Sequence, residues 1–273
     1  MRGGVTRIWL IAAAATLLGC GARSALIVCQ SGQVQACESF CGAGVQRCEH
    51  GEWTPCSAAP PSDEVTIPAT VRDFHADHLD FEGSALGLDP GIVEPLLGPD
   101  GKPVYGPHES TPTTSGKASF DRWFRDVPGV NEITTIPITL VSTGGDEPAF
   151  RFDSQEFFPI DGQLFGNEGN PHNYHFTLEM TVDFRYRGGE VFSFRGDDDV
   201  FAFINGHLAI DLGGVHSAES GAVDLDAVAA SFGLTPGDVY TLSLFFAERH
   251  MTSSSFQVDT TIAEFAVCPS TGS

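Results

Sequence analysis

The feature that most limits this chain is a run of short, evenly spaced apolar segments broken by glycine turns across its second half. Val182-Asp-Phe-Arg-Tyr-Arg187 alternates and turns at Gly188-Gly189, and Glu190-Val-Phe-Ser-Phe-Arg195 follows with Phe192 and Phe194 on one face. A period of two places alternate side chains on opposite faces of a strand. Val200 to Ile204 is continuously apolar, as in a buried strand, and Asn205-Gly206 marks a hairpin, because both central residues of a type I′ turn need positive φ. Leu208, Ile210 and Leu212 alternate again; Val239 to Ala247 and Phe256 to Ile262 supply two more strands. Helix is scarce. Asp226 to Phe232 reads as one short helix stopped by Gly233, and Ser119 to Asp126 as another capped by Ser119. Ile133 to Val141 resembles a strand. This pattern predicts an all-β antiparallel sandwich or barrel with one or two short helices.

Composition narrows the partners. Acidic residues number 36 against 14 Lys plus Arg, for a net charge of −22, and only Lys102 and Lys117 are lysines. Such a surface repels nucleic acid and anionic membranes, which excludes both as primary partners. The first residues read as an export signal: Arg2 and Arg7, then an apolar run from Ile8 to Leu18 too short to span a bilayer. Leu17-Leu18-Gly19-Cys20 resembles the lipobox of bacterial lipoproteins. The resemblance implies cleavage of residues 1–19, lipid on Cys20, and a place at the bacterial cell envelope, on the outer membrane or cell surface, with the lipid as the only membrane contact.

Six further cysteines fit an oxidising compartment: Cys29, Cys37, Cys41, Cys48, Cys56 and Cys268. Six allow 15 pairings. Cys268 lies almost at the C-terminus, so it pairs across the domain, stays free or pairs between chains. Residues 20–63 read as a lipidated, disulfide-dependent spacer and linker with too little core to fold on apolar burial alone. Residues 64–268 form the main domain. Within it, 83–117 is dense in Gly, Pro, Ser and Thr and reads as a long surface loop, a common location for function.

Phe194-Arg-Gly-Asp197-Asp198-Asp199-Val-Phe-Ala-Phe-Ile-Asn205-Gly206 sets three carboxylates between two apolar strands. Adjacent like charges suit a hard cation such as Ca²⁺, or a solvated turn in which one Asp caps backbone N–H groups. Asp197 and Asp198 would point to opposite faces of a regular strand, so joint chelation requires a sharp turn or a cis peptide.

Six segments together resemble the fibro-slime domain: Phe120-Asp-Arg-Trp-Phe-Arg-Asp-Val-Pro-Gly-Val-Asn131, Phe157-Phe-Pro-Ile-Asp161, His172-Asn-Tyr-His-Phe-Thr177, Gly196-Asp-Asp-Asp-Val200, Asp211-Leu-Gly-Gly-Val-His216 and Phe245-Phe-Ala-Glu-Arg-His250. That family is similar to the protective-antigen-type β-sandwich, which also occurs in yeast flocculins and epithelial adhesins. The resemblance implies a Ca²⁺ held by Asp197 and Asp198, with the ion binding sugar hydroxyls. It implies a contributing loop, Glu248-Arg-His-Met-Thr-Ser-Ser-Ser255. Asp199 stands where relatives often have Gly, and Ser255 where an Asn ligand is expected. Asp199, His216, Glu248, His250 and Ser255 are the further candidate binding residues.

Other chemistry is poorly supplied. His75 and His78, like His172 and His175, are three apart but on loop or strand, and no His-Glu-x-x-His or Gly-x-Ser-x-Gly is present. Trp123, Phe124 and Tyr105 offer sugar-stacking faces or core. The expectation is a non-enzymatic surface lipoprotein that recognises extracellular polysaccharide or glycoprotein with Ca²⁺ as cofactor. The alternative is a structural slime or matrix protein that binds another protein.

Overall fold

The computed structural model describes residues 29–39, 41–54, 56–57, 63–144 and 149–267. The signal segment, Cys20 and Cys268 lie outside them. Near the N-terminus, β1 (Val34–Ser39), β2 (Gly42–Glu49) and β3 (Glu52–Trp53) form a small antiparallel sheet. Along β2 only Cys48 is buried, so this sheet carries almost no apolar core. Its order rests on two bridges, Cys29–Cys48 and Cys37–Cys56. Cys41 is disulfide-bonded as well, and its Sγ lies 3.8 Å from the carbonyl oxygen of Val267, so the small sheet touches the C-terminal end of the body. Disulfides persist in oxidising compartments, which fits an exported chain. No helix among the described residues is long and apolar enough to cross a membrane.

The body is a ten-stranded antiparallel β structure. Its strands are β4 (Glu64–Phe74), β5 (Asn131–Ser142), β6 (Phe150–Ser154), β7 (Phe176–Arg185), β8 (Val191–Asp197), β9 (Asp199–Ile204), β10 (His207–Leu212), β11 (Glu219–Asp224), β12 (Val239–Glu248) and β13 (Ser255–Thr260). They pair in the order β10-β9-β12-β7-β4-β5-β6-β13-β8-β11. The ends of this ribbon meet, with Gly221 of β11 packed against Ile210 of β10, and the ribbon folds on itself as a sandwich. The main core fills its interior with Val71, Leu178, Phe194, Ala202, Leu244, Phe256 and their neighbours. The turn at Gly188-Gly189 joins β7 to β8, which are not paired; it carries the chain across the sandwich rather than making a hairpin. The Glu190 carboxylate accepts from the Arg187 and Gly188 amides to hold that crossing.

Local signals account for several elements. Asn205 and Gly206 take φ of 50° and 77° and close the β9–β10 hairpin. Helix α2 (Leu225–Phe232) starts on Asp224, whose side chain accepts from the Asp226 and Ala227 amides, and stops at left-handed Gly233. The other helix differs from expectation. It is α1 (Lys117–Phe120), preceded by Gly116 with no side-chain cap, and Ser119 is buried inside it. Packing decides this: Phe120, Trp123 and Phe124 are drawn onto the outer face of the sandwich, and the chain after Phe120 continues as turns.

The 83–117 segment also departs from the surface-loop expectation. Ile92, Val93 and Tyr105 are buried in a second apolar cluster with Phe120, Trp123, Phe124, Phe201, Phe203, Phe245 and Ala247. β9 is therefore buried on both faces: Val200, Ala202 and Ile204 point into the sandwich, and Phe201 and Phe203 lie under this cover. That explains its unbroken apolar run.

Close approach fixes one glycine beside the site. A Cβ on Gly196 would lie 2.4 Å from the Ser255 carbonyl oxygen and 2.7 Å from the Phe194 ring. The backbone atom cannot swing aside. Gly196→Ala should therefore lower stability by about 1–3 kcal/mol, read as a lower denaturation midpoint. A midpoint equal to the parent's would refute the close packing of β8 on β13.

Candidate functional site

The three aspartates sit where β8 ends and β9 begins, and the Asp197–Asp198 peptide is cis. All are buried, with 4%, 4% and 0% of their surfaces exposed, so they are not a solvated turn. Each carboxylate has its own partners. Asp197 Oδ1 accepts from the Ser255 amide (2.5 Å) and hydroxyl (2.6 Å), and Oδ2 from the Ser253 hydroxyl (2.6 Å). Asp198 accepts from the His216 amide at one oxygen and the Arg249 amide at the other, both at 3.1 Å. Asp199 accepts from the Gly214 amide and forms an ion pair with the Arg249 guanidinium, Nε to Oδ2 at 2.5 Å.

Arg249, which the sequence reading passed over, organises the site. It is fully buried and also donates to the carbonyl oxygens of Asp80 and Thr113, each at 2.8 Å. Its guanidinium lies 4.6 Å from the Trp123 ring centroid, a cation–π contact. Burial opposes its charge, but Asp199, Asp198 and Asp80 outweigh burial and raise its pKa. Trp123 Nε1 donates to Asp80 Oδ2, and Ser115 N to Asp80 Oδ1. One guanidinium thus ties the end of β12 to both ends of the outer cover. Only the tertiary structure shows this, because one Arg inside a loop carries no sequence signal.

The arrangement leaves a surplus of buried acid. Asp197, Asp198, Asp199 and Glu248 all lie within the protein beside Arg249, the one buried guanidinium among them. Burial pushes Asp198 up to about 8; the charge of Asp199 adds to this, while Arg249 and the two amides oppose it. Burial likewise raises Glu248 well above the carboxylate range, with the charges of Asp198 and Asp197 adding to it. Glu248 Oε1 accepts weakly from the His250 amide at 3.3 Å, and Glu248 Oε2 is sealed from solvent with no hydrogen-bond partner.

Asp198 opens onto a cleft of about 650 Å³. His216, Ser217 and Glu219 form one wall, His250, Thr252 and Ser253 another, and Leu86 to Leu88 a third. The third wall is pinned: the Gly87 amide donates to Val215 O and the Asp89 amide to Gly213 O, both at 2.6 Å. Gly214 permits that approach, since a Cβ there would stand 2.3 Å from Gly87 O. The structure thus places Asp198, His216 and His250 on the cleft. Asp197, Asp199, Glu248 and Ser255 are buried and are not part of its lining. Leu86, Leu88, Ser217 and Glu219 were not found from sequence.

The remaining candidates are elsewhere. Trp123, Phe124 and Tyr105 are core residues and offer no stacking face. His75 pairs with Glu168, His172 with Asp161 and buried His175 with Glu82. Among the described residues no group of three or more His, Cys, Asp or Glu side chains is placed to hold a metal ion. A cation at the Asp cluster would therefore need hydroxyl, carbonyl or ligand oxygens besides its carboxylates, which Ca²⁺ accepts.

Residues 158–264 match the family model of the PA14 domain. Protein psiR of Dictyostelium discoideum is 38% identical over 199 residues, 67% of this chain and 20% of its own length. Protein psiD of the same organism is 38% identical over 216 residues, 73% of this chain and 42% of its own length. The chain thus spans less than half the length of these curated relatives. Among solved structures, the epithelial adhesin 9 A domain of Candida glabrata, in complex with Galb1-4GlcNAc, is similar over 76% of this chain and 88% of its own, at 12% identity and a TM-score of 0.33.

Proposed function

We propose, from the premise that residues 158–264 form a PA14 domain, that this chain is an exported, non-enzymatic recognition module for extracellular glycan. The family match stops short of the sheet. β4 lies between β7 and β5, so the strands before residue 158 belong to the same body, and we take 64–268 as one domain of the fibro-slime kind. The observation that carries the reading is Asp198 in the lining of a concave cleft, backed by buried carboxyls in excess of buried cations. A hard cation fits that donor chemistry: the groups are oxygens, they would carry surplus negative charge once deprotonated, and Glu248 Oε2 lacks a partner. Asp197 and Asp198 would hold a Ca²⁺, with Glu248 contributing charge. The bound ion would supply a Lewis-acidic centre for vicinal sugar hydroxyls. His216, Glu219 and His250 would orient those hydroxyls by hydrogen bonding. Lipid on Cys20 would array many copies at the cell envelope, so that weak single sites act by avidity. A protein-binding matrix role is the second reading, and it draws on the exposed Leu86, Leu88 and Met251 beside the cleft.

Melting the protein in EGTA, Mg²⁺ and Ca²⁺ tests the cation. At a hundred-fold excess over Kd a ligand of the native state adds about 2.7 kcal/mol, a rise in Tm of several degrees. The rise should be Ca²⁺-specific and lost in Asp198→Asn. No shift in millimolar Ca²⁺ would end the calcium mechanism. A glycan array then separates sugar from protein recognition.

A further inference from the structure

The third wall of the cleft is unusual for a polar site. Leu86 and Leu88 both line it and are 67% and 52% exposed. Scattered exposed leucines are ordinary. These two flank Gly87 on a segment tied down along its length. Besides the Gly87 and Asp89 amide bonds, Asp89 Oδ2 accepts from the Thr113 amide and hydroxyl, and the Gly91 amide donates to Asp211 Oδ2. These bonds hold the backbone that carries the leucines at the cleft, where both side chains meet water. Apart from Val215 beside Gly87, the rest of the lining is polar, with His216, Glu219 and His250. No Trp, Tyr or Phe lines the cleft, so it offers a sugar ring no indole, phenol or phenyl face to stack on, and its apolar contact is aliphatic. A concave volume of about 650 Å³ suits a sugar residue or two better than a flat protein surface.

We propose that the cleft selects sugars carrying a methyl group, as a 6-deoxy or acetyl substituent, beside the hydroxyls presented to Asp198, and that Leu86 and Leu88 read that methyl. This rests on the glycan reading above. A fully hydroxylated arm on the same wall would lose water contacts against leucine and gain no partner, whereas a methyl loses nothing polar and removes apolar surface from water.

Matched pairs test it. Methyl α-L-fucopyranoside and methyl α-L-galactopyranoside differ only in the hydroxyl at C6, as do the L-rhamnoside and L-mannoside; N-acetylglucosaminide and glucoside differ in the acetamide. Each would be titrated against the full chain, purified with its disulfides formed and in millimolar Ca²⁺, by saturation-transfer NMR. The 6-deoxy or N-acetyl member of at least one pair should bind about four-fold tighter, the worth of one buried methyl. The protons of its C6 or acetyl methyl, and not those of the aglycone methyl, should receive the strongest transfer. In Leu86→Ser/Leu88→Ser the ratio should fall to about one while Tm and its response to Ca²⁺ stay unchanged, because both side chains are exposed. Sugar binding with no methyl preference in any pair, or a preference that survives the double variant, overturns this proposal and leaves the glycan reading standing. Binding of no sugar in any pair removes the glycan reading and this proposal with it, and turns the leucines into a protein contact.

Discussion

Replacing Arg249 with methionine should cost the fold about 3–5 kcal/mol, the usual penalty for removing one partner of a buried ion pair. The loss has identifiable parts. Asp199, with none of its surface exposed, would be left with only the Gly214 amide as partner. The Asp80 and Thr113 carbonyl oxygens would lose their donor inside the protein. Methionine preserves apolar contact with Trp123, so the measured change isolates the charge and its hydrogen bonds. The denaturation midpoint should fall sharply. Asp199→Asn in the Arg249→Met background should recover part of the loss, since the amide oxygen still accepts from Gly214 and no charge remains. Amide exchange should quicken between residues 80 and 115, the segment that Arg249 ties to β12. A single variant within about 1 kcal/mol of the parent would show that the guanidinium is not the tie between cover and sandwich.

The second large effect is a dependence on pH that runs against acid denaturation. Asp198 has its pKa pushed from 3.8 to about 8 in the folded chain by burial. Between those values the native state binds a proton that the unfolded chain releases. Stability therefore falls as pH rises through the window from about 4 to about 8, at up to about 1.4 kcal/mol per pH unit for one proton, and levels above it. Glu248 is shifted in the same direction and adds to the slope. Other groups titrate too, so the readout is the difference between Asp198→Asn and the parent, both in EGTA. The variant should gain on the parent as the buffer moves from pH 5 to pH 8. A difference that stays constant across that range would mean that Asp198 is charged throughout. Under the calcium reading, Ca²⁺ should restore most stability at the alkaline end, where the buried charge is otherwise uncompensated.

Much of this protein was decided by short-range signals that the sequence carries openly. The alternation from Val182 onward, Asn205-Gly206 and the cap pair Asp224 and Gly233 each name a local conformation through sterics or one hydrogen bond, and the structure contains all of them. The Asp triplet was visible as an anomaly for the same reason, since three charges between apolar strands need an explanation that few environments supply. The decisive relations were not local. Which cysteines pair, why β9 is apolar on both faces, and why 83–117 is a cover rather than a free loop depend on segments far apart in the chain. So does the role of Arg249, whose carbonyl partners lie 169 and 136 residues away. The sequence alone determined that this chain is an anionic, cysteine-bearing β protein with an acidic knot at one strand junction. Only the tertiary structure decided which acid faces the cleft, which is neutralised, and which leucines stand over it, because burial and charge compensation arise when distant segments pack.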